Sequence, residues 1–390
     1  MKETRFVVWF SIAQLIVGGA LYYSFAVIAG PMERDLGWTK PEIYGALTLG
    51  LVVSGLSALP VGAWMDRHGG LWPMTLGSIA GGLLMVAWAF VETLPQFYAL
   101  WGAMGMAFAC SLYDPAFAVV AANVRDWRRG ILTMTLIGGF SITIFVPLMH
   151  YLNETFGWRN ALIATGALTA VTCGSINFYW LRGTRAKGVA AEAADASQTG
   201  SALAAALRRP AFWGLGFVYI AYNFAIGVVT FHLIGLLGER GVDPDAIVLV
   251  WATIGPMQVA GRLTLMLLGA RVDGRLTARV AIFCLLMAMA LLVSGIDAIV
   301  PLLAFSAIYG VGNGLMTIVR GTIVPELFGP RDYATVNGAL ALPFNLSRAL
   351  APGIAAALWR ISGGYDGVTL ALFAALSAAF VAIWMVTIRK

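Results

Sequence analysis

The chain has 390 residues, 60% of them apolar and 11% charged, with 25 Lys and Arg against 19 Asp and Glu. An average soluble domain is about half apolar and about a quarter charged, so a soluble globule is excluded and the chain reads as an integral membrane protein. The net charge of +6 is spread between apolar runs, which points to membrane topology and not to nucleic acid.

A helix needs roughly 20 residues to cross the hydrocarbon core. The apolar runs are longer and more continuous than the alternating segments of about ten residues in a membrane barrel. They predict an all-α membrane protein with twelve transmembrane helices, in chain order near 6–29, 43–64, 72–91, 96–122, 131–152 and 159–181, then 211–236, 246–268, 278–296, 300–324, 334–358 and 366–388. Met1–Arg5 runs into the first of these without a small-residue cleavage site, so it reads as a membrane helix and not a signal peptide. Between the sixth and seventh spans lies the longest polar stretch, Arg182 to Arg209, rich in Ala, Ser, Gly and charge. It divides the chain into a six-helix half (1–181), a linker (182–209) and a second six-helix half (210–390). With the N-terminus placed inside, 17 basic residues fall on cytoplasmic segments and 5 on the opposite side. The expectation is a cell (inner) membrane protein with both termini and the linker in the cytoplasm.

The halves repeat. Gly62-Ala-Trp-Met-Asp66-Arg67 follows the second span, and Gly269-Ala-Arg-Val-Asp273-Gly-Arg275 follows the eighth. Both are G-x-x-x-D with an Arg close behind, at the same place in each half. The stretch Gly62 to Gly70 resembles the loop signature of the major facilitator superfamily of secondary transporters, G-x-x-x-D-R-x-G-R, with Gly70 where a basic residue is usual. Leu36-Gly-Trp-Thr39, Gly157-Trp-Arg159 and Gly261-Arg262 resemble the monocarboxylate and oxalate–formate carrier branch. That resemblance implies two pseudo-symmetric six-helix halves working by alternating access. It also implies a carboxylate-binding role for Arg262 and a cytoplasmic gate around Gly62, Asp66, Arg67, Asp273 and Arg275. The branch's usual set does not include Arg320 in the tenth span or Arg348 in the eleventh.

An ionised side chain at bilayer depth costs at least about 2.5–3.5 kcal/mol, so it faces a cavity or a partner. Four fall within spans: Asp114, Arg262, Arg320 and Arg348. Asp114 and Arg320 occupy matching repeat positions, which reads either as a charge pair or as a proton-coupling carboxylate with a separate arginine. Polar residues recur at helical spacing: Gln14 and Tyr22 in the first span, Tyr219, Tyr222 and Asn223 in the seventh, Gln258 and Arg262 in the eighth, Asn313, Thr317 and Arg320 in the tenth, Asn345 and Arg348 in the eleventh. They form the candidate substrate site. His150 and His232 lie towards the outer ends of the fifth and seventh spans, where interfacial solvation is expected and a proton relay is the alternative. Pro115, Pro147, Pro256, Pro343 and Pro352 predict kinks, while Gly102, Gly105, Gly310, Gly312 and Gly314 predict close helix approach.

Three buried arginines against one aspartate favour an anion, best a small carboxylate, as the transported molecule, with protons as a candidate coupling ion. The competing transporter reading is proton-coupled efflux of drug-like or cationic compounds through Asp114. A membrane receptor or sensor would be expected to carry a soluble signalling domain. No phosphate-binding glycine loop, metal cluster or nucleophile–base pair is visible, so neither an enzyme nor a cofactor or metal is expected. The expected partners are the substrate and the bilayer, around a monomer.

Overall fold

A computed structural model describes residues 2–182, 184, 204–268, 273–295, 297–328 and 333–388. Within its helices the side chains of some residues lie outside the description, among them Asp66, Arg67, Asp114 and Arg320. Most of the linker lies outside it too. Every described element is a helix, and the chain divides into two compact units, Met1–Ala191 and Glu192–Lys390.

The first unit contains α1 (Lys2–Val17), a π-helical segment (Gly18–Tyr23), α2 (Ser24–Leu36), α3 (Lys40–His68), α4 (Leu71–Trp88), α5 (Leu94–Ser111), α6 (Tyr113–Asn123), α7 (Trp127–Gly138) and α8 (Ser141–Leu181). The second contains α9 (Pro210–Glu239), α10 (Pro244–Leu268), α11 (Gly274–Val293), α12 (Ile299–Phe328), α13 (Tyr333–Ser362) and α14 (Tyr365–Ile388). Ten helices among the described residues are long and apolar enough to cross a membrane. The fifth and sixth predicted spans fall within one 53-residue run, Arg129–Leu181, which turns at Gly157 (φ 78, ψ 158). The eleventh lies in α13. Leu267 is 87% exposed and Val171 68%, surfaces that only hydrocarbon covers at no cost.

Two spans depart from regular α-helix along their length, though each runs on as one membrane-crossing segment. The first is interrupted by its π-helical turn, where Gly19 faces the Phe145 ring so closely that a Cβ would lie 2.1 Å from Cδ2. The fourth breaks at Leu112, whose backbone is extended (φ −78, ψ −164). π-Turns and helix breaks of this kind recur at functional positions.

The short signatures of the sequence have physical jobs. Gly37 ends α2 in the left-handed region (φ 67) and donates its N–H to the Glu33 carbonyl. Trp38 packs on Phe97. Thr39 and Glu42 form a capping box on α3, with the Thr39 N–H and hydroxyl donating to Glu42 Oε2 at 2.8 and 2.7 Å. Beyond the turn at Gly157, the Trp158 indole N–H donates to Asp35 Oδ2 at 3.2 Å, and the Arg159 guanidinium pairs with the same carboxylate while lying over the Trp158 ring.

The second unit carries the same link with its charges reversed. Arg240, at the place corresponding to Asp35, donates to Asp366 at 3.1 Å, and Asp366 stands where the first unit has Arg159. Arg240 also donates to the Leu292 carbonyl at 2.9 Å. The repeat therefore carries an opposite-charge pair here in either polarity. Exchanging Asp35 and Arg159 in the double variant D35R/R159D is expected to leave the melting temperature and membrane yield near those of the wild type. The single variant D35R, which sets two cations together, is expected to lower both.

Candidate functional site

The polar residues of the second unit converge. On α9, the Tyr222 hydroxyl donates to Asn313 Oδ1 of α12 at 2.6 Å. One turn along α12, Thr317 donates to the Asn313 carbonyl and accepts from Arg262 Nη2 of α10 at 3.4 Å. Arg262 Nη2 also reaches Gln258 Oε1, a turn back on its own helix, at 3.4 Å. Arg262 is 8% exposed. Both contacts are long for charge-assisted bonds, and both acceptors are neutral.

Packing explains why these side chains meet. Gly314, beside Asn313, lies against the backbone of Gln258, where a Cβ would come within 2.3 Å of the Gln258 carbonyl. Gly310 and Gly261 make further close contacts along the same seam, where a Cβ would lie 2.7 and 2.9 Å from the carbonyls of Ile254 and Val311. Small residues let α10 and α12 approach to backbone contact, which brings Gln258 and Arg262 level with Asn313 and Thr317. Gly102 does not serve as expected: space around it is open, and Gly105 alone of that pair meets a neighbour, the Gly50 carbonyl.

On α13, Arg348 is half-buried and Asn345 exposed. Ser347 between them donates to the Ile220 carbonyl of α9 at 2.8 Å. Asn223 is 2% exposed and gives its amide to the Tyr219 carbonyl of its own helix. Asp273 caps α11 by accepting from the Leu276 N–H at 2.7 Å, a structural task for one of the expected gate residues, and Arg275 lies in the first turn of that helix. Gly62 sits in α3 with open space around it. Asp66 and Arg67 are helical in backbone, but their side chains lie outside the described residues. The same is true of Asp114, in the first turn of α6, and of Arg320, on α12.

In the first unit, Gln14 of α1 is 1% exposed and donates to the Ser111 carbonyl at 3.0 Å. That carbonyl would ordinarily accept from residue 115, but Pro115 has no N–H. Gln14 thus satisfies a group that the helix break leaves over. Gln14 Oε1 has no hydrogen-bond partner among the described residues. Tyr22 is buried in the π-helical turn, edge-on to Tyr23 and near Phe108. Gln14→Leu is expected to cost about 1–3 kcal/mol, the penalty of a buried acceptor without a donor. Thermal unfolding of the purified variant measures the loss.

One histidine departs from expectation. His232 is 1% exposed, not solvated at an interface, with Nδ1 2.9 Å from the Tyr365 hydroxyl and Nε2 3.0 Å from the Pro352 carbonyl. Tyr365 falls in a predicted loop, and nothing in helical spacing ties it to a histidine on another span.

Comparison with known proteins gives the family. The Major Facilitator Superfamily matches residues 10–352. "Monocarboxylate transporter 13" of Bos taurus is 23% identical over 82% of this chain and 74% of its own. The "Oxalate:formate antiporter" of Oxalobacter formigenes is 23% identical over 52% of this chain and 48% of its own. Among solved structures, the nucleoside transporter NupG superposes with a TM-score of 0.77 at 14% identity, covering 100% of this chain and 100% of that one. A bacterial homolog of the human lysosomal transporter Spinster reaches a TM-score of 0.67 at 14% identity, over 99% of this chain and 94% of its own.

Proposed function

This chain belongs to the Major Facilitator Superfamily of non-enzymatic membrane carriers, and within it we propose that the protein moves a small organic anion, best a carboxylate, by alternating access. The observation that carries the reading is Arg262, buried on α10 and held by Gln258 and Thr317 beside the Tyr222–Asn313 bond. Its guanidinium stays charged at any physiological pH, and its fork matches a carboxylate with two parallel donors. The relatives named as monocarboxylate and oxalate:formate carriers support the same class.

Arg348, Arg320, Asn345, Asn313, Tyr222 and Asn223 complete the proposed set in the C-terminal half, with Gln14 and Tyr22 in the other. The basic-residue count keeps both termini inside, with Gly62, Asp66, Arg67, Asp273 and Arg275 at the cytoplasmic gate.

Thermal stability of the purified protein, measured with formate, L-lactate, oxalate, uridine and tetraphenylphosphonium, tests the substrate class. A carboxylate that binds the native state raises the melting temperature by mass action. Stabilisation by uridine or the cation alone would overturn the reading. For Asp114, the variant Asp114→Asn separates its two roles in proteoliposomes. A proton carrier gives transport that no longer responds to pH, whereas a charge partner gives loss of transport at every pH.

A further inference from the structure

Both ring nitrogens of His232 are engaged inside the second unit. The Pro352 carbonyl can only accept, so Nε2 carries the ring proton, and Nδ1 accepts from the Tyr365 hydroxyl. We propose that Nδ1 of His232 is a proton-binding site of the transport cycle, linked to the anion through Arg348. The link, though not the proton site, rests on the carboxylate reading above.

The fold does not require this polar triad. Counting back one repeat, the first unit has Ala26 near the place of His232, Trp158 at that of Tyr365 and Pro147 near that of Pro352. It builds the same helices there with no titratable group. Neither bond is lost when the imidazole gains a proton. Nε2–H keeps the Pro352 carbonyl, the new Nδ1–H donates, and the Tyr365 hydroxyl turns from donor to acceptor while keeping its own proton. Among side chains, histidine is the one whose unperturbed form changes charge between pH 5 and 8, the chemistry a proton site needs.

Position supplies the coupling. Pro352 stands four residues after Arg348 on α13. Gly227 of α9 closes on the Arg348 carbonyl, where a Cβ would be 3.1 Å away. Pro352 and Arg348 stand one turn apart on α13, about 6 Å along the helix axis, so a proton on the imidazole bonded to the Pro352 carbonyl adds positive charge beside the turn that carries Arg348. An anion on Arg348 offsets the repulsion, so anion and proton each raise the other's affinity by the same factor. The charged groups carried by the surrounding elements are Arg348 and Arg360 on α13, Glu239 and Arg240 at the end of α9, with Arg240 paired to both Asp297 and Asp366, and Asp366 next to Tyr365 on α14. Glu239 is exposed, and it accepts from the Tyr365 backbone N–H at 3.3 Å and from the Trp359 indole at 2.7 Å, giving the proton an acidic approach next to Tyr365.

The test is nuclear magnetic resonance of the full chain with labelled histidines, titrated from pH 5 to 8. The three histidine signals are assigned with His232→Gln, whose amide can replace both bonds of the neutral ring. His232 is expected to titrate in this range, and oxalate or L-lactate is expected to raise its midpoint by half a unit or more, about threefold in proton affinity. Arg348→Gln should abolish that rise. A His232 that stays neutral from pH 5 to 8 overturns the proton site. A midpoint that ignores a carboxylate shown to bind by thermal shift overturns the coupling. If His232 titrates but no carboxylate stabilises the protein, the carboxylate reading fails and the proton site stands.

Discussion

Arg262→Ala is expected to reduce carboxylate uptake into proteoliposomes by at least tenfold, and towards a hundredfold, while the protein still inserts and purifies in normal yield. The range follows from hydrogen bonds to a charged group, worth about 1.5–3 kcal/mol, at roughly 1.4 kcal/mol per factor of ten. Arg262→Lys should recover little, because an ammonium supplies a point charge and not a two-pronged donor. Thr317→Val and Gln258→Leu should each cost severalfold, since they remove what holds the guanidinium and leave its charge in place. A graded series of this kind is what a positioned ligand gives. A residue that only braces α10 against α12 would instead lose yield and thermal stability in proportion to uptake. Arg348→Ala is expected to behave as Arg262→Ala does, and full uptake by both alanine variants would remove the two arginines from the site.

Helical spacing made the polar face of α12 readable before any coordinates, because Asn313 and Thr317 stand one turn apart and an arginine in a span must face something polar. Which partners those residues meet was not readable. The Tyr222–Asn313 and Arg262–Thr317 contacts join residues 91 and 55 positions apart, and the second depends on how closely the backbones of α10 and α12 approach at Gly314, Gly310 and Gly261. The break at Leu112 was half legible: Pro115 announced a freed carbonyl, but its rescue by Gln14, 97 residues away, depends on packing. The π-helical turn at Gly18–Tyr23 left no periodic mark, since one extra residue in a turn disturbs a hydrophobic stripe hardly at all. His232 was misplaced for a related reason. Position along a span gives depth, whereas burial here comes from Tyr365 of α14 and the Pro352 turn of α13 packing against the ring.

The second large effect is expected where the backbone has no room. A Cβ on Gly314 would lie 2.3 Å from the Gln258 carbonyl oxygen and 3.0 Å from its Cα, and a helix backbone cannot swing aside as a side chain can. Gly314→Ala must therefore push α12 off α10, an overpacking cost of about 1–3 kcal/mol. Gly314→Leu should exceed it and drop the yield of folded protein sharply. The displacement occurs beside Asn313 and at the level of Gln258, so contacts of Arg262 that already span 3.4 Å would lengthen beyond bonding range. Gly314→Ala is thus expected to lose affinity for the carboxylate as well as stability, with the melting temperature falling by several degrees. Gly102→Ala is the matched control, a glycine in a membrane helix with nothing within 4 Å of the added methyl, and it should leave both quantities unchanged. Gln258→Ala will not rescue Gly314→Ala, because the obstructing atoms belong to the Gln258 backbone and not to its side chain. Wild-type affinity in Gly314→Ala would mean that the α10–α12 seam does not set the position of Arg262.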